Sequence, residues 1–175
     1  MLLIVEGIDR VGKSTMCKEL SKQFGGIPVY EEIRFDNSIK DSDNETDKIL
    51  SMLNILKHVG GDLIFDRLHL TDFAYGIEKR KYKREKAKNN LLKIDEFIQE
   101  NFKSITVIVN PISIEKSSNE HGENLRIIQN NFLLALQELD PKCDRFYYCN
   151  YITIWETARK IREENKYSKG VIIYE

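Results

Sequence analysis

Gly7-Ile8-Asp9-Arg10-Val11-Gly12-Lys13-Ser14 satisfies the pattern G-x-x-x-x-G-K-[ST] of a P-loop. An apolar run, residues 1–5, precedes it. Residues 13–24, which follow, carry Met16, Leu20 and Phe24 at spacings of four. Strand, Gly-rich loop and helix are the context the pattern needs. Glycines let the backbone turn so that successive N–H groups face inward and cradle a phosphate. The start of the next helix adds a partial positive charge. In such a loop Lys13 reaches the β- and γ-phosphates and the Ser14 hydroxyl holds Mg²⁺.

The 175 residues, 41% of them hydrophobic, suit one compact domain spanning residues 1–175. With 31% charged residues and a net charge of −1, nothing draws the chain in bulk to nucleic acid or a membrane. Cys17, Cys143 and Cys149 are odd in number and lack C-x-x-C spacing. Together with the lack of a signal peptide they predict a reducing, cytoplasmic setting and inert thiols. No apolar run approaches the roughly 20 residues of a membrane span.

Outward from the loop, residues 1–5 read as a central strand of a parallel sheet, buried on both faces. Residues 27–30 read as a second strand and residues 31–47 as a polar loop containing Arg34-Phe35. Residues 46–59, with Ile49, Met52, Leu53 and Leu56 on one face, read as a helix. Residues 62–65 form a third strand that delivers Asp66-Arg67 at its carboxyl end. Ligands of open α/β sheets sit beyond those ends, so Asp66-Arg67 and the P-loop face one crevice. A helix starts near Thr71. The basic run Lys79–Lys88 reads as a solvated helix face or as a rim that draws in anions. A helix with Ala87, Leu91, Ile94, Phe97 and Ile98 inward follows, then a strand over 104–109. Residues 112–123 read as a short mobile lid. Residues 124–139 form a helix, 145–150 a strand, and Thr153 with Glu156 a capping box for a last helix to about Asn165. Residues 170–174 are a candidate edge strand. The repeated β-α alternation predicts a doubly wound parallel sheet of five strands between helical layers.

A D-x-x-G switch after the third strand and an N-K-x-D base reader, both of which a GTPase needs, are absent. The decapeptide Glu6-Gly7-Ile8-Asp9-Arg10-Val11-Gly12-Lys13-Ser14-Thr15 resembles the P-loop of the thymidylate kinase family. Asp66-Arg67-Leu68-His69-Leu70-Thr71-Asp72-Phe73-Ala74-Tyr75 looks like that family's second signature. Ile33-Arg34-Phe35 is similar to the Arg-Phe after its second strand. The resemblance implies the three-layer P-loop kinase fold and an ATP- and Mg²⁺-dependent transfer to a deoxynucleoside monophosphate, dTMP or a related pyrimidine nucleotide. It also implies a homodimer. ATP would be held by Gly7, Ile8, Asp9, Arg10, Val11, Gly12, Lys13, Ser14 and Thr15. The acceptor would be held by Asp9, Arg34, Arg67, Asp72 and Tyr75, with Tyr75 packed under the sugar. Asp9, Arg10 and Lys13 are the catalytic candidates, and Ser14 and Asp66 the Mg²⁺ candidates.

Phosphate chemistry supports the same residues. Transfer between two anionic reactants needs charge cancelled between them. The planar fork of arginine binds phosphate bidentately and stays ionised. Arg10 lies within the loop and can bridge donor and acceptor. Arg34 and Arg67 are placed to hold the acceptor phosphate. Asp66, at a strand end, can hold Mg²⁺ through water. His69 and His121 read as non-catalytic, because this transfer asks for positioning rather than a strong base.

The resemblance breaks between Arg34 and Asp66. This chain is shorter there, with room for one helix. Residues 50–58 hold neither the aromatic nor the arginine that reads thymine in the family. The acceptor base, whether thymine, uracil, cytosine or a modified pyrimidine, is therefore left open. For the adenine of ATP, topology offers only the loop at 150–152. A deoxynucleoside kinase is a second reading, against which stand Asp66-Arg67 in place of a Glu-Arg pair and a lid without arginine. A non-catalytic nucleotide-binding regulator is a third, against which stand the intact Lys13, Ser14, Asp66 and Arg10.

Overall fold

A computed structural model describes residues 1–9, 11–31, 42–110, 125–139 and 146–165. The strands are β1 (Leu2–Glu6), β2 (Val29–Glu31), β3 (Leu63–Asp66), β4 (Ser104–Asn110) and β5 (Phe146–Asn150). The helices are α1 (Lys13–Gln23), α2 (Ser42–Val59), α3 (His69–Glu78), α4 (Arg84–Asn101), α5 (Leu125–Glu138) and α6 (Ile154–Asn165), with a 3-10 turn at Tyr151–Thr153 before α6. The strands form one sheet in the order β2-β3-β1-β4-β5, and every pairing is parallel. The predicted α/β fold is observed. The candidate edge strand over 170–174 and the candidate lid over 112–123 lie outside the described residues.

All five residues of β1 are buried: Leu2–Val5 as an apolar run covered on both faces requires, and Glu6 at the carboxyl end. Side chains alternate between the faces. Leu3 and Val5 join the larger core cluster, which takes in α1, α3, α5 and α6. Leu2 and Ile4 join a second cluster with Ile49 and Leu53 of α2 and Ile94 and Ile98 of α4. β1 lies between β3 and β4, so the strand order reverses around it and its carboxyl end opens on the crevice.

Two local expectations are corrected. α2 begins at Ser42, whereas the sequence pattern predicts a polar loop over 31–47 and a helix only from Thr46. Its first turns bury Ser42, Glu45 and Thr46, and the Thr46 hydroxyl donates to the Ser42 carbonyl at 2.8 Å. The inward face there is polar, so no apolar period marks it. Asp43 and Glu45 in the first turn also suit the helix dipole. The capping box at the end of β5 joins Asn150 and Thr153, not Thr153 and Glu156. The Asn150 side chain accepts from the Ile152 and Thr153 N–H groups, and the Thr153 hydroxyl accepts from the Asn150 N–H at 3.1 Å.

The basic run divides among several partners. Arg80 is buried, Lys86 pairs with Asp43 of α2 at 2.8 Å, and Lys88 pairs with Glu138 of α5 at 2.6 Å. Among the described residues no helix is long and apolar enough to cross a membrane.

Candidate functional site

The P-loop turns on two glycines with positive φ, Gly7 at 149° and Gly12 at 100°. A Cβ at Gly7 would stand 2.4 Å from the Val109 carbonyl oxygen, and one at Gly12 would stand 2.8 Å from the Tyr151 ring. The loop is thus pressed between the ends of β4 and β5. Gly7→Ala adds both backbone strain and a clash with main chain that cannot swing aside. We expect it to lower stability by about 2–4 kcal/mol, a fall in melting temperature of roughly 5–15 °C for a chain of this size. A thermal melt followed by circular dichroism measures it.

Lys13 opens α1 and folds back into the loop, where its buried ammonium donates to the Ile8 carbonyl at 2.6 Å. Burial pulls its pKa down to about 8, helped by the Arg67 guanidinium and opposed by Asp9, Asp66 and Glu6. The Ser14 hydroxyl donates to Asp66 Oδ2 at 3.0 Å. Asp66 Oδ1 is buried and has no hydrogen-bond partner among the described residues. A buried carboxylate oxygen left over beside a serine hydroxyl fits a divalent cation. No three or more His, Cys, Asp or Glu among the described residues form a metal cluster. Mg²⁺ keeps waters and takes one or two carboxylates together with substrate phosphates, and the Ser14–Asp66 pair is a donor set of that kind.

Asp9, Arg67 and Tyr75 come together on the other side of the loop. The Arg67 guanidinium forms an ion pair with the Asp9 carboxylate. The Asp9 N–H donates to the Tyr75 hydroxyl at 3.0 Å. Arg67 itself has φ at 79°, rare for a residue with a side chain. Ile8 and Val11 are buried in the core, and Thr15 is partly exposed on α1. Arg10 and Arg34 lie outside the described residues.

Asp72 is turned elsewhere. It is buried, and its Oδ1 accepts from Arg80 Nη2 at 2.7 Å, while the same nitrogen reaches the Asp72 carbonyl at 3.1 Å. The Arg80 guanidinium also lies over the Tyr82 ring, 4.9 Å from its centroid. Burial pushes the Asp72 pKa up to about 6, opposed by Arg80 and helped by Glu45. A carboxyl raised from 3.8 binds its proton more tightly in the folded state. Its contribution therefore favours folding below about pH 4 and is lost as pH rises through 6. Urea denaturation of the wild type and of Asp72→Asn at pH 7 and pH 4.5 tests this. The wild type should gain stability relative to the variant on acidification.

Sequence reasoning gave Glu6 no role. It is fully buried at the end of β1 and accepts the N–H groups of Leu68, Leu70 and Thr71 at 3.0, 3.1 and 3.2 Å, as well as the Thr71 hydroxyl at 2.5 Å. Burial raises its pKa, while His69 and these donors pull it down. His69 is also buried, with Nδ1 3.9 Å from Glu6 and Nε2 3.3 Å from Asp95. A lone acid beside a glycine loop carries no pattern that marks it. Cys149 is buried, and burial pushes its thiol up to about 11, which agrees with an inert cysteine.

No protein-family model matches the chain, and no curated protein does. Solved structures do. YorR from Bacillus subtilis, in complex with phosphorylated GDP, aligns with a TM-score of 0.66 at 21% identity, over 96% of this chain and 98% of that one. Thymidylate kinase from Candida albicans, described as having broad substrate specificity, aligns with a TM-score of 0.58 at 19% identity, over 96% and 92%. The fold is that of the P-loop kinases.

Proposed function

We propose that the chain is an ATP- and Mg²⁺-dependent deoxynucleoside monophosphate kinase that acts on dTMP or a related pyrimidine deoxynucleotide. The observation that carries this is the meeting of Asp9 and Arg67 on the P-loop. An arginine delivered to the loop from the neighbouring strand end adds a second cation that can bind phosphate bidentately, which suits a loop serving two phosphate-bearing substrates.

On this reading the inward N–H groups of residues 7–14 and the Lys13 ammonium hold the β- and γ-phosphates. An oxygen of the acceptor monophosphate attacks the γ-phosphorus in line, the bond to the β–γ bridging oxygen breaks, and ADP leaves. No covalent enzyme intermediate forms. Ser14 and Asp66 are the residues that would hold Mg²⁺, which when bound would supply positive charge to offset that of the phosphates. Arg67 and Arg34 take the acceptor phosphate, Arg10 spans the two reactants, and Tyr75 lies under the sugar. The adenine of ATP would lie near 150–152, where the half-exposed Tyr151 packs on Gly12.

The base stays open. α2, the one helix described between β2 and β3, contains no aromatic residue and no arginine. The decisive experiment is ADP release measured across all nucleoside monophosphates and nucleosides, with dGMP included because YorR holds phosphorylated GDP. Turnover with a deoxynucleoside monophosphate is the expected result. Turnover only with nucleosides would make the protein a nucleoside kinase, and none with any acceptor would make it a binding protein.

A further inference from the structure

The turn that carries Arg67 is held from a different strand. Its positive φ costs about 1–2 kcal/mol in a residue with a Cβ, so the surroundings must impose it. One restraint is the Arg67 N–H, which donates to the Val5 carbonyl at 2.9 Å. The other lies just downstream. The N-cap of α3 is Leu68, which offers no side-chain cap. Glu6, far away in sequence, takes that place by accepting from Leu68, Leu70 and Thr71. A buried carboxylate is costly alone. Here several donors and the amino end of a helix offset that cost. His69, the first residue of α3, is buried between Glu6 and Asp95 of α4, with Nδ1 3.9 Å from the one and Nε2 3.3 Å from the other.

We propose that Glu6 is a positioning residue for Arg67: by capping α3 from the end of β1, its carboxylate fixes the guanidinium against Asp9 in the P-loop. Glu6 immediately precedes Gly7. One residue therefore ties the start of the phosphate-binding loop to the arginine of the opposite substrate. A local Ser or Thr cap at position 68 would start the helix equally well but would not set its distance from the loop. The inference rests on Arg67 as the arginine of the acceptor phosphate.

Glu6→Gln keeps the shape of the side chain but sets one amide NH₂ against these donors. Thr71→Val removes only the hydroxyl, and Thr71→Ser restores it. Steady-state kinetics should show the KM for the monophosphate rising about tenfold in Glu6→Gln, the equivalent of one lost charged hydrogen bond, with the KM for ATP little changed. Thr71→Val should move the same constant less, and Thr71→Ser should return it to the wild-type value. A crystal structure of Glu6→Gln, or of Thr71→Val if Glu6→Gln does not fold, should show Arg67 displaced from Asp9. Equal rises in both KM values, or Arg67 unmoved with an unchanged acceptor KM, would overturn the proposal. If the wild type turns over no monophosphate, the kinase reading fails, and the position of Arg67 in the variant crystal still decides the role of Glu6.

Discussion

Lys13→Met should lower kcat by roughly 10²–10³-fold, the range seen when a preorganised charge is removed from a transition state, and should leave the fold no less stable. The two halves of this result have one cause. The Lys13 ammonium is buried in the loop with the Ile8 carbonyl as its hydrogen-bond partner, and burial has already pulled its pKa down to about 8. A cation held out of water in this way is costly to the fold. Methionine fills the same stem volume without the charge. ADP release and a thermal melt on the same preparation test both halves. Activity within tenfold of the wild type would remove Lys13 from the phosphate site. A large fall in melting temperature would show that the charge holds the loop together.

The second large effect is at Arg67. Arg67→Ala and Arg67→Gly should both raise the KM for the monophosphate by about 10²-fold, since on the proposed reading each removes a charged contact to the acceptor phosphate. They should differ in stability. Alanine keeps a Cβ in the positive-φ conformation and glycine does not. Arg67→Gly should therefore be the more stable of the two by about 0.5–1 kcal/mol in urea denaturation. Equal stabilities would show that the backbone relaxes when the guanidinium leaves Asp9.

The parts of this site that could be read in the sequence are those with fixed spacing. Gly7, Gly12, Lys13 and Ser14 stand in a pattern that only a strand–loop–helix can use, and Asp66 follows a clear apolar run. The centre of the sheet was legible for a related reason, since β1, β3 and β4 are buried, largely continuous apolar runs. Contacts that depend on two distant segments were not legible. Glu6 meets the 68–71 turn only because β1 and β3 are neighbours in register, with Val5 opposite Asp66. Asp72 is eight residues from Arg80 across the end of α3, and no helical or strand period joins them. The start of α2 was missed because its inward residues are Ser42, Glu45 and Thr46, and hydrophobic periodicity does not register a buried polar face.

The strand order also governs how the chain can fold. β1 is paired with β3 and β4, and β2, at the sheet edge, pairs with β3. A chain emerging from the ribosome therefore exposes the apolar residues Leu2–Val5 of β1, with no strand partner, until residues 63–66 have been made. Until then α1 has no sheet to pack on, and the turn at Gly7 has no β4 carbonyl behind it. The phosphate-binding loop, early in the sequence, is thus among the later features to take shape. Long-range parallel pairing of this kind is slow and leaves sticky intermediates. Refolding should show the phosphate-binding capacity of the loop arriving after most of the helical signal.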